Sequence, residues 1–138
     1  MNKYTFNEIE IGLKESFEVS ITSENMRCFC QMTGDENPLH NSQEFSKQKG
    51  FENCVVYGML TASYLSTLAG VYLPGEKSLI QSVEINFTKP VFAGDRLTIT
   101  GEVVEKNELF QMIKMKVTIT NSKNEKVVRG KMQVGVLA

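Results

Sequence analysis

The sequence predicts an α+β fold in which an antiparallel β-sheet wraps around one long central α-helix. Three observations carry this prediction. No residue between Val55 and Pro74 is charged, so this segment reads as a helix buried on every face. After Pro74 the chain alternates apolar and polar residues in four separate runs, the period of strands with one buried face. The chain has 138 residues, enough for one sizeable core and too few for two, so a single domain spanning residues 1–138 is expected.

The elements follow in order. Ser16–Ile21 alternates with period two and reads as a strand. Thr22 or Ser23 then offers an N-cap, Glu24 lies in the first turn, and Met26, Phe29, Cys30 and Thr33 fall at helical spacing, which predicts a short amphipathic helix ending near Gly34. Gly34 and Pro38 punctuate the next segment, so neither helix nor central strand is expected to run through it. Ser42 can cap a second short helix through about Lys49, with Glu44 near its N-terminus, Phe45 as apolar anchor and Gly50 ending it. Lys47 and Lys49 lie either on a solvated face or against a phosphate of a carrier.

The central helix is predicted over Val55–Gly70. The uncharged run is long enough to span a bilayer, but Gly70 and Pro74 interrupt it and its hydroxyls have no partners in lipid, so a core helix is expected rather than a membrane span. Thr61, Ser63, Ser66 and Thr67 let a sheet, a second copy of the chain or a ligand approach closely. Strands are predicted over Val83–Phe87, Leu97–Thr100, Ile113–Thr120 and Val128–Val134. The breaks at Lys89–Pro90, Ala93–Asp95, Lys106–Glu108 and Asn121–Glu125 are short enough for antiparallel meanders.

A net charge of −1 leaves no basic face for nucleic acid or anionic lipid, and a small molecule is the expected ligand. The start Met1–Asn2–Lys3–Tyr4 lacks a charged region followed by an apolar run, so no secretory signal is expected and the cytoplasm is the expected compartment. The three cysteines, Cys28, Cys30 and Cys54, are too few and odd in number for a disulfide framework. Cys28 and Cys30 with His40 suggest a metal site only until geometry is considered, because a C-x-C pair on a helix points its thiols about 200° apart. No metal is expected.

Chemistry concentrates in Gly34-Asp35-Glu36-Asn37-Pro38-Leu39-His40, which holds the only histidine of the chain together with a carboxylate and a carboxamide. A carboxylate beside an imidazole is common equipment for moving a proton at neutral pH. The same residues also make a capped turn, since Asp and Asn bond their own backbone.

Three segments, running from about Thr33 to Asp95, resemble the hot-dog domain of the MaoC-like family of (R)-specific enoyl-CoA hydratases. The loop is similar to that family's G-D-x-N-P-[aliphatic]-H signature. Tyr57-Gly58-Met59-Leu60 lies where the family has H-G followed by two apolar residues, and Phe87-Thr88-Lys89-Pro90-Val91-Phe92-Ala93-Gly94-Asp95 looks like its F-x-x-P-V-x-x-G-D segment. The resemblance implies that Asp35 and His40 are the catalytic pair, adding one water across a trans-2-enoyl thioester carried on CoA or an acyl carrier protein. It implies that Asn37 lines the same pocket and fixes the loop, and that the Gly58 backbone N–H binds the thioester oxygen. Tyr57 and Ser66 join the expected substrate-binding residues. No metal or redox cofactor is implied. A homodimer or larger homo-oligomer is, with sheets continuing across the interface and the ligand tunnel between protomers.

Two positions depart from the family pattern. Ser42-Gln43 replaces an acidic or amide residue followed by Pro, and Ser42 can do the same capping. Tyr57 replaces the usual His; its larger, neutral ring either alters the pocket and the acyl-chain preference or packs in the core with its hydroxyl bonded. Two other activities fit the fold class. A thioesterase would need a carboxylate or nucleophile on the long helix, which carries no Asp or Glu. A catalytically silent binding domain would not need Asp35, Asn37, His40 and Gly58 together.

Overall fold

Thr22 accepts a hydrogen bond at its side chain from Asn25 N and opens a helix where the sequence predicts one. In the computed structural model, which describes residues 1–138, strand β1 (Lys14–Ser20) leads into α1 (Ser23–Thr33). Two short helices follow, α2 (Pro38–Asn41) and α3 (Gln43–Gln48). The central helix α4 (Gly58–Thr67) continues as a π-helical turn over Leu68–Tyr72. Strands β2 (Ser78–Phe87), β3 (Arg96–Asn107), β4 (Met112–Thr120) and β5 (Lys126–Val136) complete the chain.

All five strands form one antiparallel sheet in the order β1-β3-β4-β5-β2. The expected meander holds for β3, β4 and β5 and fails for β2. Instead of pairing with its successor β3, β2 lies beside β5, with Phe87 opposite Val128 and Ser78 opposite Val136. β1 takes the place next to β3. The reason lies in residues 88–95, which are tied down elsewhere: Val56 N donates to Val91 O at 2.7 Å, and Val55 bridges Phe92. That segment carries the chain away from β2 rather than turning it back.

The inner face of the sheet supplies most of the core. Ile99, Val103, Ile113, Met115 and Ile119 are fully buried, together with Leu65, Leu68 and Ala69 from α4 and its π turn.

Two expectations for the helices are corrected. A helix does enter the motif segment: α2 begins at Pro38, which sits at the first helical position, where its missing N–H costs nothing and its fixed φ suits the turn. The central helix is also shorter and more open than expected. It starts at Gly58 because Val55 and Val56 are spent on strand-like bonds to the 91–92 segment. Its Leu60, Thr61 and Leu65 are buried, but Met59 is 66% exposed and Ser63 and Ser66 are exposed. The absence of charge on that open face reflects a cavity rather than a core.

Candidate active site

Gly34 ends α1 in the left-handed conformation (φ 75°), its N–H donating to Cys30 O at 2.8 Å. That conformation, disfavoured for residues with a Cβ, turns the chain sharply into the motif loop. The Asp35 carboxylate accepts from Asn37 N at 3.1 Å, and the Asn37 side-chain oxygen accepts from Leu39 N at 3.0 Å. Asn37 is thus the N-cap of α2. Asp35 and Asn37 each fix the backbone two residues ahead, so the loop is held by its own sequence.

His40 is held from the other side. Its Nδ1 lies 2.7 Å from the backbone oxygen of Val55, while Val55 N donates to Leu39 O at 3.1 Å. A carbonyl oxygen only accepts, so Nδ1 carries the hydrogen of this bond and Nε2 of the neutral ring keeps a free lone pair.

Tyr57 is the keystone between loop and helix. It is buried, its ring lies on the His40 ring with centroids 4.0 Å apart and on Phe29 at 4.8 Å, and its hydroxyl donates to Asp35 O at 2.7 Å. Burial first, and the neighbouring Cys30 thiol second, push the Tyr57 phenol up to about 12. It is therefore neutral and a donor throughout the physiological range.

Gly58 is the first residue of α4, and Tyr57 before it supplies no side-chain cap. The Gly58 N–H is one of the donors a helix N-terminus leaves without an intrahelical partner, and it stands at the positive end of the helix dipole. A Cβ on Gly58 would lie 3.2 Å from Phe87 Cε1, so any other residue here would press on the Phe87 ring beside the helix start.

These groups meet in one cavity of about 750 Å3. Asp35, His40, Tyr57, Gly58 and Ser66 all line it, opposite apolar side chains that include Phe29, Ile80 and Val83. Asn37 does not join them: it is exposed and outside the lining, so its place here is the cap of α2. Two contributions escaped sequence reading. The Val55 carbonyl that orients His40 is a backbone group with no signature of its own. Val83 opens a predicted strand, which the structure extends back to Ser78 to include Ile80, but nothing local shows that this edge of the sheet turns toward the helix. No three His, Cys, Asp or Glu side chains converge in a metal-holding arrangement.

Residues 5–125 match the family model of the MaoC like domain. The chain belongs to the MaoC-like dehydratase family. It is 35% identical over 100 residues to a 3-hydroxybutyryl-CoA dehydratase of Methylorubrum extorquens, a match covering 72% of this chain and 64% of that protein. It shares the same identity over 100 residues with an (R)-specific enoyl-CoA hydratase of Aeromonas caviae, covering 72% of this chain and 75% of the relative. Among solved structures, an unliganded R-hydratase from Pseudomonas aeruginosa superimposes with a TM-score of 0.91 at 27% identity, over 96% of this chain and 85% of the other. The hot-dog fold expected from the sequence is the fold of this MaoC-like chain. No helix in it is long and apolar enough to cross a membrane.

Proposed function

We propose that this chain is a hydro-lyase that adds water to trans-2-enoyl thioesters to give (R)-3-hydroxyacyl thioesters, or runs the reverse dehydration. The carrier is CoA or an acyl carrier protein, and the names of the two relatives favour CoA. One observation carries the reading: a histidine whose Nδ1 is fixed on Val55 O shares a cavity with Asp35 and with the uncapped start of α4.

In hydration the water oxygen bonds to C3 of the enoyl group while the C2–C3 π electrons move toward the thioester carbonyl. The Nε2 lone pair of His40 takes a proton from the water. The Asp35 carboxylate, one oxygen of which is already occupied by Asn37 N, accepts the water's other hydrogen and holds it in place. The imidazolium then returns a proton to C2, so one water is consumed and the pair is restored. Charge gathers on the thioester oxygen, where the Gly58 N–H and the helix dipole stabilise it by on the order of 3 kcal/mol. This scheme needs no metal or redox cofactor.

The reading extends to assembly and compartment. β2 is an outer strand and exposes Leu79, Ile80, Val83 and Phe87, an apolar edge that a second copy of the chain would cover in a homodimer or larger homo-oligomer. The three free thiols favour a reducing compartment such as the cytoplasm. The deciding experiment is a panel of enoyl-CoA and enoyl-carrier-protein substrates of graded length, followed by loss of the conjugated thioester absorbance. Absence of hydration across the whole panel would refute the activity.

A further inference from the structure

A second, smaller cavity of about 300 Å3 adjoins the first. His40, Gly58 and Phe87 line both, so the two spaces share a wall at the proposed reacting centre. The inner wall of the smaller one is made by buried side chains, among them Val56, Val91 and Val128, and its outer end by the exposed Thr88, Lys89 and Pro90.

One polar side chain in this wall has no account in the fold. Thr61 is 2% exposed, and its Oγ1 makes no hydrogen bond to any protein group. A threonine inside a helix often bonds the carbonyl four residues back. Here that carbonyl, Tyr57 O, receives Thr61 N at 3.1 Å, and the hydroxyl makes no bond. An unmade hydrogen bond on a buried hydroxyl is costly, and a cavity of this size has room for several waters at roughly 30 Å3 each.

We propose that Thr61 Oγ1 binds an ordered water in the smaller cavity, and that this cavity is the route by which water reaches and leaves His40 once a thioester occupies the larger one. The second half rests on the hydro-lyase reading. Every hydration consumes a water, and an acyl chain lying against Phe29, Ile80 and Val83 closes the apolar cavity to solvent. The next water then has to arrive from another side. The smaller cavity reaches the same histidine behind Gly58 and Phe87, with solvent-exposed residues at its far end. Thr61 is a positioning residue: it touches the water and not the substrate.

The test compares Thr61→Val, which keeps the shape and removes the hydroxyl, with Thr61→Ser, which keeps the hydroxyl. With crotonyl-CoA, Thr61→Val should lower kcat roughly tenfold, the rate equivalent of one hydrogen bond, with KM nearly unchanged, and Thr61→Ser should recover most of the rate. Tm is measured for both variants, and a fall in kcat at an unchanged Tm separates a loss of rate from a loss of fold. High-resolution crystal structures of the free protein and of its complex with butyryl-CoA, which cannot be hydrated, should both show a water on Thr61 Oγ1. Equal kcat in wild type and Thr61→Val, or a pantetheine amide in place of the water, would overturn the proposal. If the wild type hydrates no thioester, the route falls together with the hydro-lyase reading, while the free-protein crystal still decides whether Thr61 binds water.

Discussion

The phenol of Tyr57 donates a 2.7 Å hydrogen bond to the backbone oxygen of Asp35. This joins the residue before α4 to the loop that carries the proposed catalytic carboxylate, across 22 positions of sequence. Tyr57→Phe keeps the ring packed against His40 and removes only this tie. The expected result is a stability loss of about 1 kcal/mol, seen in the denaturant midpoint, with a several-fold fall in kcat as the loop loosens. An unchanged kcat would mean that the loop's own Asx bonds suffice to hold it.

Tyr57 also sets a pH dependence. With its phenol raised from 10.0 to about 12 in the folded chain, the native state keeps a proton between those values that the unfolded chain has lost. Stability from this group is therefore fully present below pH 10 and is lost as pH rises through 12. An ultraviolet phenolate titration should show a late-titrating tyrosine that is missing in Tyr57→Phe, and the slope of unfolding free energy against pH in this window should flatten in the same variant.

Asp35→Asn and His40→Gln should each remove most hydration while leaving the fold and butyryl-CoA binding nearly intact. Both residues lie at the accessible wall of the cavity, and both replacements preserve hydrogen-bonding capacity. Losses of about 10² to 10⁴ in kcat are the scale, and because the two groups share one water the double variant should be little worse than either single. If the loop were only a turn, melting temperature would fall and the turnover of the folded fraction would stay normal.

Gly58→Ala retains the N–H and places a methyl 3.2 to 3.4 Å from the Phe87 ring. The ring has to shift toward solvent and narrow the space where the thioester oxygen binds. kcat/KM should drop about tenfold, the scale of a small displacement in a positioned site, and adding Phe87→Leu should recover part of it. A double variant no better than Gly58→Ala would show that the loss comes from the helix start and not from the ring.

The exposed edge of β2 predicts self-association. Sedimentation should give a dimer or larger species at micromolar concentration, and Leu79→Glu, on the same strand but outside the cavity lining, should dissociate it, since a charge would then sit in a buried apolar contact. A monomeric wild type would remove the homo-oligomer from the proposal.

Local signals were legible in the sequence and distant ones were not. The caps at Thr22 and Ser42, the stop at Gly34 and the four β runs each depend on residues within one turn or one strand, and they fall where the pattern places them. The neighbours of β2 could not be read, because the pairing of Phe87 with Val128 is decided by how residues 88–95 bind Val55 and Val56. The open face of α4 escaped for a related reason: uncharged residues line a cavity as readily as a core. Asn37 shows the limit inside the motif itself. Its presence in the loop is plain, yet only three dimensions show its side chain spent on Leu39 N and kept out of the cavity.

The proposed thioester donor at Gly58 belongs to the peptide chain and not to a side chain. Any amino acid other than proline at position 58 would still present it, so ordinary drift there cannot delete the donor. Drift can only crowd it. Variation at this position should therefore show first as a change in which acyl groups fit, and only later as a loss of chemistry. The exception is instructive: Tyr57 has ψ 123°, the extended range that a residue before proline favours, and the first helical position accepts proline. A single codon change to proline would silence the donor while leaving the helix free to form.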